Sequence, residues 1–171
     1  MITLQKLIDS LDDSDLIEGR ISEDGPVADL TADSRRVRPG SVFVALRGDR
    51  LDGHGYLGEA AEKGCRAVVV ERDAVIPAVI PAVRVADTRR AYGKMAAALF
   101  GYPARQMTMI GLTGTNGKTT TSWLVEEVLR AAGRRPGVIG TVNYRYRDAS
   151  SAPIVREAPL TTPEPVMLHG L

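Results

Sequence analysis

Residues 107–132 read MTMIGLTGTNGKTTTSWLVEEVLRAA. The apolar run at 107–112 predicts a buried strand. The glycines at 114 and 117 predict a turn. From Lys118 to Ala132, Leu124, Val125, Val128, Leu129 and Ala132 recur at helical spacing, which predicts an amphipathic helix buried on that face. Glu126 and Arg130 stand at i,i+4 and can pair on it. Gly133 is placed to stop it. Strand, glycine-rich turn and helix in this order form a unit that can bind phosphate.

The chemistry follows from the residue types. Glycines let main-chain N–H groups turn inward around phosphate oxygens. The helix start adds free N–H groups and the positive end of its dipole. The cofactor-binding candidates are therefore Gly114, Thr115, Asn116, Gly117, Lys118, Thr119 and Thr120. Lys118 supplies charge to the outer phosphates and is the catalytic candidate, and the Thr119 hydroxyl is the metal candidate, for Mg²⁺. The spacing departs from the general pattern G-x-x-x-x-G-K-[ST], because the position of its first glycine is Leu112, and Gly111 and Gly114 stand nearby instead. The competing reading is a strand-to-helix turn with an incidental lysine.

Upstream, Leu4, Leu7, Ile8 and Leu11 predict a short helix. Strands are predicted near Leu16-Ile17, at Val42–Leu46, Ala67–Val70 and Ala82–Val85. Residues 56–63 read as helix. Asp87 is a candidate N-cap for a helix over 88–100, with Ala91, Tyr92, Met95, Ala98 and Leu99 inward. Residues 137–142 read as a further strand, 143–159 as irregular, and the segment after Pro163 as the start of a helix. The alternation predicts an α/β fold with mostly parallel pairing. A seam at Gly101–Gln106 divides the chain into 1–106 and 107–171. The second part holds a single βαβ unit, so it reads as the opening of a larger domain.

The composition narrows the classes. Of 171 residues, 44% are hydrophobic and 25% charged, with net charge +1, which is a globular balance. No basic excess points to nucleic acid, and no run of ~18 apolar residues points to a membrane. Acidic residues within the first thirteen positions argue against a signal peptide, so a cytoplasmic protein is expected. The single cysteine, Cys65, reads as a small core residue. His54 reads as structural, His169 is uninformative, and the arginines at 134, 135, 145 and 147 read as a solvated surface cluster.

TGTNGKTTT (113–121) resembles the phosphate loop of the Mur ligases, which depart from the general pattern in the same way. Folylpolyglutamate synthetases look alike here but typically read GTNGKGS. Further resemblance lies in Asp33-Ser34-Arg35, Val37, Pro39-Gly40 and Val42-Phe43-Val44-Ala45, in Asp52-Gly53-His54 with Tyr56, and in Ala67–Glu71. These are similar to the N-terminal UDP-binding domain shared by the ligases that add the third amino acid and the terminal dipeptide. TNGKTTT, Gly140-Thr141-Val142 with Tyr144, and Leu160-Thr161-Thr162-Pro163-Glu164 favour the third-residue branch.

The resemblance implies a small α/β UDP-binding domain followed by the truncated start of a P-loop, Rossmann-like ATPase domain with a mostly parallel sheet. It implies ATP and Mg²⁺ as cofactors. The implied substrates are a UDP-N-acetylmuramoyl-dipeptide and an amino acid, diaminopimelate or lysine, joined through an acyl phosphate. Ser34, Asp49, Arg50, Leu51, Thr161 and Thr162 would contact the nucleotide substrate. Leu160 stands where some members have asparagine. A monomer is expected, without nucleic-acid or membrane partners. The remaining catalytic residues of such a ligase would lie beyond residue 171, so the chain is expected to be an N-terminal fragment inactive alone. The alternatives are the dipeptide-adding ligase and a non-catalytic uridine-nucleotide-binding module. A motor or transport ATPase is disfavoured by the resemblance on both sides of the loop.

Overall fold

The computed structural model describes residues 2–18, 24–48, 51–76, 80–159 and 162–171. The chain forms two compact units, one of Met1–Gln106 with Pro165–Leu171 and one of Met107–Glu164.

In the first unit the elements run α1 (Leu4–Ile8), β1 (Leu16–Glu18), β2 (Asp29–Thr31), β3 (Ser41–Val44), α2 (Leu57–Glu62), β4 (Ala67–Glu71), β5 (Ala82–Val85) and α3 (Thr88–Leu99). The five strands lie in the order β1-β5-β4-β3-β2. β2 to β5 pair in parallel and β1 closes one edge antiparallel to β5. The α/β class with a parallel-dominated sheet is therefore realised here.

β3 and the first four residues of β4 are wholly buried, as parallel strands covered on both faces require. Their alternation divides the core. Val42, Val44 and Val69 face α1 and α3, with Leu7, Tyr92 and Met95. Phe43, Val68 and Val70 face the other way, against Leu57 and Ala60 of α2. Cys65 sits at the edge of that second cluster, and burial pushes its thiol up to about 11. β2 was not legible in the sequence, since only Leu30 and Thr31 of its three residues are buried and its pairing with β3 creates it.

Asp87 caps α3 as expected, accepting from Arg90 N at 3.0 Å. A second tie holds α3 to the segment before β1. Lys94 Nζ donates to the carboxylates of Asp12 and Asp15, and Arg90 Nε lies 2.9 Å from Asp15 Oδ1. The Lys94 hydrogen bond, against the opposing effect of burial, holds the Asp15 carboxyl below its ordinary value. The two aspartates hold the Lys94 ammonium above its own. A lowered acid stabilises the fold above its unfolded pKa, about 3.9, and that contribution is lost as pH falls through the folded value. A raised lysine stabilises below its unfolded pKa, about 10.4, and that contribution is lost as pH rises through the folded value. Asp15→Asn is thus expected to lower the urea midpoint at pH 7. The gap to the parent should narrow below about pH 4; a gap that stays constant down to pH 2 would contradict the pairing.

In the second unit the elements are α4 (Lys118–Ala131), β6 (Val138–Ile139), β7 (Asn143–Arg147) and β8 (Pro153–Glu157). Three expectations are corrected. Residues 107–112 form no strand, and Met107, Met109 and Ile110 are exposed. A strand exists only through a pairing partner, and the described strands of this unit pair among themselves in the order β6-β7-β8. The strand expected over 137–142 shrinks to Val138–Ile139 and pairs antiparallel to β7. Residues 143–159, expected to be irregular, contain the β7–β8 hairpin. Its turn is closed by Asp148, whose N–H donates to Ala152 O at 3.1 Å and whose Oδ1 accepts from Ala152 N at 2.9 Å.

The final helix, α5 (Pro165–Gly170), groups with the first unit. Val166 packs on the α1–α3 core, and a Cβ at Gly170 would come 3.1 Å from the Phe100 ring.

Candidate functional site

The turn into α4 is built on two backbone conformations that side chains disfavour. Gly114 has φ +142° and Gly117 φ +80°. Gly117 is the N-cap of α4 and offers no side-chain cap, so the helix start keeps its free N–H groups. The first helical bond runs from Thr121 N to Gly117 O, at 2.8 Å. A Cβ on Gly117 would meet nothing within 4 Å, so glycine is needed there for its positive φ and not for space. Residues 111–121 are all exposed.

Lys118 bends back over this turn. Its Nζ donates to Gly114 O and lies 3.4 Å from Thr115 O. The ammonium thus sits on the glycine turn, beside the main-chain groups of the helix start. The Thr119 hydroxyl is in the first turn of α4 and is exposed. Free N–H donors, an ammonium and a hydroxyl oxygen make a donor set that fits a polyphosphate and a hard divalent cation. Among the described residues no group of three or more His, Cys, Asp or Glu could hold a metal alone. Magnesium commonly completes its shell with waters and phosphate oxygens.

The other candidate residues lie elsewhere. Ser34 opens a 3₁₀ turn capped by Asp33, which accepts from Arg35 N at 3.0 Å. The Ser34 hydroxyl donates to Glu59 Oε2 at 3.1 Å, and Lys63 Nζ donates to Ser34 O at 2.9 Å and to Glu59 Oε1 at 2.6 Å. The Lys63 hydrogen bond, with the Ser34 hydroxyl contributing, holds the Glu59 carboxyl below its ordinary value. Glu59 and Lys63 were not singled out in the sequence. Their i,i+4 spacing was visible, but their meeting with Ser34, 25 residues upstream of Glu59, was not.

Leu51 is exposed, as is Thr162. Asp49, Arg50 and Thr161 lie outside the described residues. Ser34 and Leu51 belong to the first unit, and Thr162 and the glycine turn to the second.

His54 ties two elements of the first unit together. Its Nε2 accepts from Glu71 N at 3.1 Å, so its proton sits on Nδ1, which meets Asp52 Oδ1 at 2.6 Å. Both ring nitrogens are used in holding the loop before α2 to the end of β4, which is a structural role.

The sequence profile of the Mur ligase family catalytic domain matches residues 26–100. That of the Mur ligase middle domain matches residues 112–171. The chain belongs to the Mur ligase family. Among curated Mur ligases, the UDP-N-acetylmuramoyl-L-alanyl-D-glutamate–2,6-diaminopimelate ligase of Bacillus licheniformis is 44% identical over 147 residues, covering 86% of this chain and 29% of that protein. The enzyme of the same name from Aquifex aeolicus is 42% identical over 143 residues, covering 84% and 28%. The chain therefore spans less than a third of the length of these relatives. Among solved structures, MurF from Acinetobacter baumannii is 32% identical with a TM-score of 0.55, covering 74% of this chain and 27% of that one. A UDP-N-acetylmuramoyl-L-alanyl-D-glutamate–2,6-diaminopimelate ligase is 25% identical with a TM-score of 0.60, covering 85% and 28%. The family boundary between 100 and 112 flanks the division of the two units at Gln106. Among the described residues no helix is long and apolar enough to cross a membrane.

Proposed function

We propose that this chain carries the nucleotide-substrate and ATP-binding segments of a ligase of peptidoglycan precursor synthesis. The ligase would add the third amino acid to UDP-N-acetylmuramoyl-L-alanyl-D-glutamate. The carrying observation is the exposed turn at Gly114–Gly117, with Lys118 folded over it at the start of α4. The names of the relatives favour diaminopimelate as the amino acid over lysine.

On this reading Lys118 and the loop N–H groups bind the ATP phosphates and lower the energy of charge growing on the transferred phosphoryl oxygens. Lys118 exchanges its bonds to Gly114 and Thr115 for bonds to phosphate. Thr119 would hold Mg²⁺, which supplies further charge neutralisation when bound. The peptide carboxylate attacks the γ-phosphorus and ADP leaves; the amine then attacks the acyl phosphate carbon and releases phosphate. Residues 1–106 would hold the UDP-sugar substrate through Ser34, Asp49, Arg50 and Leu51, with Thr161 and Thr162 contributing from the later segment. We also propose that the protein acts in the cytoplasm, as a monomer without nucleic-acid or membrane partners.

The length of the relatives favours a second reading for the isolated 171 residues, which is binding without turnover. Calorimetry with the UDP-N-acetylmuramoyl-dipeptide is expected to show saturable binding, and an ATPase assay of the same sample little or no phosphate release. A folded sample that gives no heat with any uridine nucleotide would remove the substrate-domain assignment.

A further inference from the structure

Arg145 was read from the sequence as a surface charge. It is 6% exposed, and it lies in the middle strand of the second unit's sheet, paired with Val138 on one side and Val155 on the other. Each nitrogen of its guanidinium has a partner. Nε donates to Glu126 Oε2 at 2.7 Å, and Nη1 donates to Asn143 Oδ1 at 2.6 Å. Nη2 reaches Ser122 Oγ at 3.5 Å. Its plane lies over the Trp123 ring, 3.6 Å from the centroid. Glu126 is 4% exposed and takes a second arginine, Arg130, on Oε1 at 2.7 Å.

Glu126 is the one buried residue of α4. The apolar face that should have clamped this helix is open, with Leu124 64% and Val128 68% exposed. Three residues of α4, Ser122, Trp123 and Glu126, all converge on Arg145. An apolar face tolerates sliding and rotation, whereas a planar fork of donors on a carboxylate fixes direction. Lys118 and Thr119 stand at the start of the same rigid helix, about 12 Å along its axis from Glu126 at 1.5 Å rise per residue. A small rotation at Glu126 therefore moves the phosphate-binding turn.

We propose that Arg145 is a positioning residue for the phosphate loop. Acting through Glu126 and Trp123, it sets the direction of α4 against the β7 strand and with it the placement of Lys118 and Thr119. The inference rests on the triphosphate reading of that turn. It also explains why a charged pair is buried while Leu124 and Val128 of the same helix are exposed. Such a pair contributes little net stability, and here its contribution is the direction it gives to α4.

Trp123 is the single tryptophan, so its emission reports the contact directly. The test titrates the 171-residue chain with MgATP by calorimetry and follows Trp123 emission in the parent, Arg145→Lys, Arg145→Met and Glu126→Gln. Arg145→Met is expected to shift the emission and weaken MgATP binding about tenfold, and Arg145→Lys to recover little of the affinity, because it keeps the charge beside Glu126 but not the planar fork. A role limited to neutralising the buried Glu126 would instead let Arg145→Lys restore the affinity. Shifted emission with MgATP affinity within about twofold of the parent overturns the proposal. If Arg145→Met does not fold, Glu126→Gln, which keeps shape and removes charge, is read by the same thresholds. If the parent takes up no MgATP, the triphosphate reading fails separately. Amide exchange of residues 114–121 then decides: faster exchange in Arg145→Met than in the parent supports positioning, and equal exchange overturns it.

Discussion

Lys118→Ala is expected to lower kcat of the complete ligase by about 10²–10³-fold, the scale seen when one preorganised charge-stabilising group is removed. The ammonium is held over the glycine turn by Gly114 O and Thr115 O, so it is already next to the site where phosphate charge would grow. Phosphoryl transfer asks mainly for positioning and charge stabilisation, with little covalent work for the protein. Loss of the cation therefore falls on the transition state, and kcat should drop more than KM for the UDP-linked substrate rises. In the 171-residue chain the same substitution should weaken MgATP binding while leaving uridine-nucleotide binding intact, since Lys118 belongs to the second unit. Unchanged turnover in the complete enzyme would refute the role.

Phe43→Ala is expected to destabilise the first unit by about 3–5 kcal/mol. Phe43 is 1% exposed, in the strand between β2 and β4, and packs into the cluster under α2. Its removal leaves a cavity between the sheet and α2, and β3, paired on both sides, cannot collapse to fill it. Against a typical total of about 5–15 kcal/mol, that is a large share. The urea midpoint of the first unit should fall with little change in slope. Met109→Ala is the control. Met109 is 69% exposed, and its loss should cost no more than about 0.5 kcal/mol. Equal effects from the two substitutions would mean that the core has been wrongly located.

The first unit was largely legible because its signals are local. Val-rich runs at 42–44 and 67–70 are buried on both faces, so their composition announces them. Asp87 and Gly101 punctuate α3 as their chemistry predicts, with Gly101 at φ +70°. The glycine turn was legible for the same reason, since the positive φ of Gly114 and Gly117 and the helix start after them depend on residues within one turn. β2 was not legible, because Asp29–Thr31 carries no apolar run and becomes a strand only against β3. The 107–112 run failed in the opposite sense: its residues suit a strand, but no described strand pairs with it.

The order of the segments, the α/β class and the glycine turn before α4 were thus written in residue types and short spacings. The hairpin at 143–157, the attachment of α5 to the first unit, the Ser34–Glu59–Lys63 group and the burial of Arg145 were settled by folding. Each joins residues far apart in the chain or surfaces without a pattern of their own. Hydrogen-bond pairing and charge burial depend on which partner arrives, and no local window of sequence holds that information.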